Sequence, residues 1–207
     1  MSYEIILWDL DGTIADTESL MKHSIEKVLS SKGENQDLVN EYTPKNSPYS
    51  FFKECGLNPK ECMGIYWRAF TKNIDDYVEL YYPIKEVLST LHNNDKEMAI
   101  VSSLPDQMIS SILHMEDISH FFSTIVGYHD TENNKPHPDP INEALDRIDI
   151  QEKKDTIYIG DSPNDQKAAE NANIDFYWAS WGYFSDGELS KLPNILNSPD
   201  EIIEYLS

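Results

Sequence analysis

Basic residues are scarce in this sequence. Among its 207 residues, 16 are lysine or arginine and 37 are aspartate or glutamate, which gives a formal net charge of −21 at pH 7. A surface with this balance repels both the phosphate backbone of nucleic acids and anionic membranes. We therefore expect neither as a partner, and the charge alone indicates a well-solvated surface.

Cysteines and long apolar runs are scarce as well. Cys55 and Cys62 are the only cysteines, and their spacing fits neither a close metal-binding pair nor a redox pair. No stretch approaches the roughly 20 apolar residues that a membrane span needs. The first residues, MSYEIILWDLDG, turn acidic before an apolar run reaches the length of a signal peptide. These absences predict a cytoplasmic protein with two buried or idle thiols.

Apolar residues are nevertheless sufficient for a packed core. They make up 40% of the chain and include four tryptophans, twelve tyrosines and seven phenylalanines, which is far from the composition of a disordered protein. The length predicts one principal domain with a modest insert.

Short apolar runs that end abruptly in polar residues recur along the chain. They predict strands at residues 4–9, 97–101, 123–126 and 156–160, and helical patterns separate them at 106–115, 139–147 and 164–172. This alternation predicts an α/β fold with a doubly wound, mostly parallel sheet. In such sheets ligands bind beyond the carboxyl ends of the strands, so the polar residues there are expected to converge.

Residues 16–82 interrupt this alternation. Their apolar residues have helical spacing and show no strand-like run, with one stripe at Leu20, Met21, Ile25, Val28 and Leu29 and another at Cys62, Met63, Tyr66, Phe70, Tyr77 and Val78. Stripes of this kind indicate packing rather than a ligand site. The pattern predicts an all-helical insert.

Two aspartates follow the first predicted strand. Asp9 and Asp11 are two positions apart, directly before Gly12 and Thr13. Both carboxylates can project toward the strand-end crevice together with the backbone carbonyl of Asp11, and such a group requires a cation. Taken alone, the pentapeptide also fits an ordinary strand exit rich in Asp and Gly.

A second pair of aspartates follows the strand predicted at 156–160. Asp161 comes directly after that strand, and Asp165 lies four residues later at the start of a helix. Four carboxylates at one sheet edge repel one another unless a divalent cation neutralises them, and ligation by oxygen alone points to Mg²⁺. The sequence therefore predicts a magnesium site formed by these two pairs.

Donors for an anionic substrate are predicted at two further places. Lys135 lies in the proline-rich segment Asn-Lys-Pro-His-Pro-Asp-Pro, whose flexibility is limited. Ser102 and Ser103 follow the strand at 97–101, near a helix start where backbone N–H groups also favour anions. The alternatives are a solvated surface charge for Lys135 and an N-cap ahead of Pro105 for the two serines.

In chain order, these motifs resemble those of the haloacid dehalogenase-like superfamily. The four motifs are Asp-x-Asp-Gly-Thr, a strand-end Ser, Lys-Pro and Gly-Asp-Ser-x-x-Asp, and they span nearly the whole chain. The Trp-Gly-Tyr segment at 181–183 also resembles a loop of phosphoglycolate-phosphatase-like members. The resemblance implies a Rossmann-like catalytic core at 1–15 and 83–207, with a small helical cap domain at 16–82.

The resemblance also implies a reaction. It is that of a Mg²⁺-dependent phosphatase that hydrolyses a small phosphorylated metabolite through an aspartyl-phosphate. Asp9 would be the nucleophile, and Asp11 the general acid that protonates the leaving oxygen and then the base that activates water.

Binding roles follow from the same resemblance. The metal would be bound by Asp9, the carbonyl of Asp11 and Asp161, with Asp165 as a ligand or a support. The phosphoryl oxygens would be held by Ser102, Ser103 and Lys135, and many relatives have Asn at the position of Ser103.

Three alternatives stay open at this point. Asp11 favours phosphatase or phosphomutase chemistry, and β-phosphoglucomutase-like members carry His twelve residues after the nucleophile, where this chain has Met21 and the nearest histidine is His23. A receiver-like signalling domain also phosphorylates an Asp beside Mg²⁺, but that Asp follows a middle strand and the fold has no place for a helical insert. The third alternative is a catalytically silent binding protein.

Overall fold

The protein divides into two compact units. A computed structural model describes residues 3–150, 153–184 and 194–206. One unit contains the residues before Thr17 together with those from Leu80 onward, and the other comprises Thr17–Glu79. In the described residues, no helix is long and apolar enough to cross a membrane.

The elements alternate along the chain. The strands are β1 (Ile5–Trp8), β2 (Ala15–Asp16), β3 (Glu79–Leu80), β4 (Glu97–Val101), β5 (Thr124–Val126), β6 (Thr156–Gly160), β7 (Asp175–Ala179) and β8 (Ile195–Leu196). The α-helices are α1 (Glu18–Lys32), α2 (Pro48–Glu54), α3 (Pro59–Lys72), α4 (Ile74–Tyr77), α5 (Ile84–Asn93), α6 (Asp106–Met115), α7 (Asp139–Arg147), α8 (Pro163–Ala172) and α9 (Glu201–Leu206). Short 3₁₀ helices lie at Gln36–Glu41 and Ser119–Phe121.

A parallel sheet forms the centre of the first unit. Six of the described strands pair in the order β5-β4-β1-β6-β7-β8, and each neighbouring pair is parallel. All four residues of β1 are buried, as expected for a strand covered on both faces. The predicted α/β fold with a mostly parallel sheet is therefore confirmed.

The helices α7 and α8 cover one face of this sheet. They contribute Ile141, Ala144, Leu145, Ala168, Ala169 and Ala172 to a buried cluster with Ile5, Leu7, Ala99, Val101, Val126 and Tyr158. The alanines of α8 let the helix lie close to the strands. Tyr158 is the polar member of this face, and its hydroxyl requires a partner there.

The second unit is helical. All five residues of the first predicted stripe are buried in α1, which ends at Gly33 in the left-handed conformation. The second stripe does not form one helix: α3 ends at Lys72, α4 comprises Ile74–Tyr77, and Val78 follows α4 in an extended conformation. Asn73 lies between the two helices, and its side-chain amide donates to the carbonyl of Ala69 at 2.6 Å.

The sequence missed several elements of the fold. These are the helices α5 and α9, the 3₁₀ helix at Ser119–Phe121, the strands β7 and β8 of the sheet, the short strand β2, and the strand β3 within residues predicted to be free of strands. The helix predicted at 164–172 begins one residue earlier, at Pro163, and the strand predicted at 123–126 begins at Thr124.

Candidate active site

Three carboxylates meet where two central strands end. Asp9 follows β1 and Asp161 follows β6, and these neighbouring strands are in register, with Trp8 opposite Ile159. The backbone N–H of Asp9 also donates to the carbonyl of Ile159 at 2.8 Å. Oxygens of Asp9, Asp161 and Asp165 all lie within 4.8 Å of one another. The three residues are only 5%, 2% and 1% exposed, respectively.

The backbone of two segments closely approaches the Asp161 side chain. The backbone N–H of Tyr183 donates to Asp161 Oδ2 at 2.6 Å. Gly12 has a φ of 80°, and a Cβ added there would lie 2.8 Å from Asp161 Cγ. A Cβ at Gly182 would collide with Asp161 and with the carbonyl oxygen of Gly12. Both glycines are therefore needed to leave room for this carboxylate.

Asp165 is fixed by the start of α8. It forms a capping box with Ser162: the Asp165 N–H donates to Ser162 Oγ at 3.2 Å, and the Ser162 N–H donates to Asp165 Oδ2 at 3.0 Å. The hydroxyl of Ser162 also donates to Oδ2, at 2.5 Å. Two contacts thus hold Oδ2 of Asp165, and Oδ1 accepts from Lys135.

Lys135 supplies a buried positive charge. Its side chain is 5% exposed, and Nζ donates to Asp9 Oδ1 at 2.7 Å and to Asp165 Oδ1 at 2.6 Å. Burial lowers the pKa of Lys135, but the charges of Asp165 and Asp9 more than offset this, so its pKa lies above the ordinary value. The lysine is therefore cationic, and its interpretation as a solvated surface charge is wrong.

One lysine does not neutralise this cluster. Burial is the largest cause that raises the pKa of Asp161 to about 7, and the charge of Asp165 adds to it. Burial likewise raises the pKa of Asp9 well above its usual range, although Lys135 opposes the shift. Three carboxylates share one ammonium, and their oxygens are the ligands preferred by Mg²⁺. The residues present thus fit a bound magnesium ion.

The remaining predicted residues differ in their surroundings. Asp11 is half-buried in the turn after β1, and the carboxylate group formed by Asp9, Asp161 and Asp165 does not include it. Ser102 is buried at the end of β4, and its Oγ accepts from the N–H of Leu104 at 3.1 Å. Ser103 is exposed.

The alternative interpretation of the two serines as an N-cap is wrong. The residue at the N-cap of α6 is Pro105, and no side chain caps this helix. Because Ser102 Oγ accepts a hydrogen bond within its own turn, its proton can be donated to another group.

Sequence reasoning singled out the segment that contains Trp181, but it missed Tyr158. Tyr158 is buried on β6, and its hydroxyl lies 2.9 Å from Lys135 Nζ and 3.0 Å from Asp165 Oδ1. Trp181 Nε1 donates to the carbonyl of Thr13 at 2.9 Å, which links the segment after β7 to the turn after β1. The signal for Tyr158 was a hydroxyl in an otherwise apolar run, which implies a buried partner.

The position expected to hold a mutase histidine has a packing role in the helical unit. Met21 is buried, and its sulfur accepts from the hydroxyl of Tyr42 at 3.4 Å. His23 lies two residues further along α1 and stacks on Tyr77 with 4.4 Å between ring centroids. Met21 offers no group that could transfer a proton.

Several known proteins are similar to this chain in sequence and fold. The family model described as haloacid dehalogenase-like hydrolase matches residues 6–179. Pyrophosphatase PpaX from Oceanobacillus iheyensis is 31% identical, with coverage of 99% of this chain and 94% of the relative. Phosphoglycolate phosphatase from Photorhabdus laumondii is 26% identical, with 98% and 88% covered. The crystal structure of a candidate phosphatase from Clostridium difficile superposes with a TM-score of 0.88 at 28% identity, over the full length of both chains.

Proposed function

The chain belongs to the haloacid dehalogenase-like hydrolase family, and we propose that it is a phosphatase that hydrolyses a small phosphorylated metabolite through a phosphorylated Asp9. The observation that carries this proposal is the buried group of three carboxylates, in which Lys135 contacts both Asp9 and Asp165. The family and its fold place the chain among hydrolases, which disfavours the receiver-like alternative. A catalytically silent binding protein is disfavoured because every charged residue to which the motifs assign a role is present in the chain.

In the first half of the reaction, a carboxylate oxygen of Asp9 attacks phosphorus. Oδ1 accepts from Lys135, so attack falls to Oδ2. The bond from phosphorus to the leaving oxygen breaks, and protonated Asp11 gives its proton to that oxygen. The products of this half are the free leaving group, phosphorylated Asp9 and ionised Asp11.

In the second half, ionised Asp11 takes a proton from water. The resulting hydroxide equivalent attacks phosphorus, and the bond between phosphorus and Asp9 breaks. Asp9 returns as a carboxylate, Asp11 returns protonated, and inorganic phosphate leaves. Division into two displacements makes each step easier than direct attack by water on the ester.

We propose that Mg²⁺ is bound by Asp9 and Asp161, by the backbone carbonyl of Asp11, and by Asp165 as a ligand or a support. When bound, the ion supplies positive charge that offsets the carboxylates and the transferring phosphoryl group. Ser102 and Lys135 hold phosphoryl oxygens in this proposal. We propose that Ser103, at the start of the turn that leads to α6, also binds a phosphoryl oxygen through its N–H or its hydroxyl.

Removal of the metal is the direct test of the proposed function. We expect the purified protein to release phosphate from a panel of pyrophosphate, phosphoglycolate, sugar phosphates and nucleoside monophosphates when Mg²⁺ is present. An excess of EDTA should lower release at least about 100-fold, because the charge that offsets the cluster is lost, and added Mg²⁺ should restore it. Equal rates with and without EDTA, or no release from any compound, would refute the proposal.

Two substrates lead this panel. The relatives named above are a pyrophosphatase and a phosphoglycolate phosphatase, each covered along most of its length. We therefore propose pyrophosphate and phosphoglycolate as the first candidates, ahead of sugar phosphates and nucleotides. The mutase alternative is disfavoured by Met21, which packs against Tyr42.

Replacement of Lys135 by alanine should lower kcat/KM by about 100-fold or more. The ammonium neutralises charge on the transferring phosphoryl group, and loss of one such donor typically costs 10²–10³ in rate. Initial rates of phosphate release measure the effect. Lys153→Ala is the matched control, since Lys153 is a half-buried lysine of the same unit that donates to Asn142 at 2.6 Å. Unchanged constants for Lys135→Ala would remove Lys135 from the site.

The helical unit is proposed to be the cap domain. Thr17–Glu79 occupies the chain position after the first strand where the family inserts its cap. We also propose a cytoplasmic location. The thiols of Cys55 and Cys62 are free, which is consistent with a reducing compartment.

A further inference from the structure

Tyr158 places a hydroxyl beneath the candidate active site. Its ring is fully buried on the sheet face covered by α7 and α8, among aliphatic and alanine side chains. A tyrosine hydroxyl in such surroundings is stable only when it is hydrogen-bonded. The partners of this hydroxyl lie at the active-site end of the sheet, which gives the residue a position relevant to catalysis.

The hydroxyl contacts three groups. It donates to the carbonyl of Val101 at 2.8 Å, lies 3.0 Å from Asp165 Oδ1 and accepts from Lys135 Nζ at 2.9 Å. Val101 is the last residue of β4, one position beyond the residue paired with the end of β1. A hydroxyl has a single proton, and we assign it to the Val101 carbonyl, because Asp165 Oδ1 already accepts from Lys135 at 2.6 Å whereas Lys135 lies 3.2 Å from the carbonyl.

Lys135 faces more acceptors than it has protons. Its three N–H bonds have four acceptors within 3.2 Å: Asp9 Oδ1, Asp165 Oδ1, the Tyr158 hydroxyl and the Val101 carbonyl. The Val101 contact is the longest of the four. Since Tyr158 donates to that carbonyl, Lys135 need not do so, and the proton directed at the neutral hydroxyl is the least tightly held.

We propose that Tyr158 is a positioning residue, whose hydroxyl satisfies the Val101 carbonyl and thereby keeps one proton of Lys135 available for a phosphoryl oxygen. This inference rests on the proposed function of Lys135. Without the hydroxyl, the ammonium turns to the Val101 carbonyl. A phosphoryl group can then recruit that proton only by leaving a buried carbonyl without its donor, which weakens substrate binding and misplaces the charge.

Tyr158→Phe tests the proposal because it removes one oxygen and retains the packed ring. We expect kcat/KM for the preferred substrate to fall about tenfold, which corresponds to about 1.4 kcal/mol. The inhibition constant of inorganic phosphate should rise by a similar factor. Tyr177→Phe is the matched control, since Tyr177 is a buried tyrosine of β7 whose ring contacts Tyr3 and Tyr205. It should change neither constant by more than about twofold.

A double-mutant cycle separates positioning from a purely structural role. In the Lys135→Ala background, Tyr158→Phe should no longer change kcat/KM, because the ammonium through which the hydroxyl acts is absent. A tenfold loss that persists in that background would overturn the inference, as would a Tyr158→Phe enzyme with wild-type constants. If the proposed function itself fails, the wild-type protein shows no turnover and no competition by phosphate, which differs from either result.

Discussion

Replacement of Asp9 by asparagine is expected to lower phosphate release by about four orders of magnitude or more, because loss of a nucleophile removes most of the rate of an enzyme with a covalent intermediate. An amide oxygen does not attack phosphorus as a carboxylate does. The change is nearly isosteric, and the amide oxygen can still accept from Lys135, which lies 2.7 Å from Oδ1. The fold should persist while the chemistry stops, as measured by phosphate release at saturating substrate with Mg²⁺.

The covalent intermediate gives a second measurement of the same role. Wild-type protein quenched during turnover should contain a population heavier by one phosphoryl group in intact-protein mass spectra, and Asp9→Asn should contain none. Asp175→Asn is the matched control, because Asp175 is an exposed aspartate of the same unit that accepts from the hydroxyl of Tyr3. A phosphorylated Asp9→Asn protein would assign the nucleophile to another residue.

The central strands could be predicted because burial on both faces leaves a continuous apolar run. The sequences of β1, β4 and β6 have this form, and each ends where polar residues begin. The strand β7 begins with an exposed aspartate and contains three aromatic residues, a pattern that gives no clear period. The helix α5 did carry a signal, since its buried residues Ile84, Val87, Leu88 and Leu91 have helical spacing.

The positions of the site residues follow from topology to different degrees. Asp9 and Asp161 converge because parallel strands end at one edge of the sheet, which the alternation of strands and helices predicts. That β1 and β6 are neighbours was not predicted. The contact of Lys135 with both Asp9 and Asp165 depends on the conformation of the loop before α7. That conformation could not be predicted, because the loop has no periodic pattern. The role of Tyr158 depends on Val101, a residue of a different strand, so no local pattern contains it.

Replacement of Asp11 by asparagine should reduce turnover by about 10²–10⁴, the usual contribution of a general acid and base. The amide can neither protonate the leaving oxygen nor accept a proton from water. Both halves of the reaction therefore slow with a substrate whose leaving group is a poor one, such as an alkoxide. Phosphate release from such a substrate, at saturating concentration, measures the combined loss.

The leaving group separates the two roles of Asp11. A nitrophenolate leaves without a proton, so with an aryl phosphate the first half should be nearly intact in Asp11→Asn, while attack by water stays slow. Phosphorylated Asp9 should then accumulate in intact-protein mass spectra to a greater fraction than in the wild-type protein, after an initial burst of nitrophenol. Asp9→Asn, by contrast, should give no burst and no adduct. Wild-type turnover in Asp11→Asn, or a variant that forms no adduct from the aryl ester, would contradict the assignment of proton transfer to Asp11.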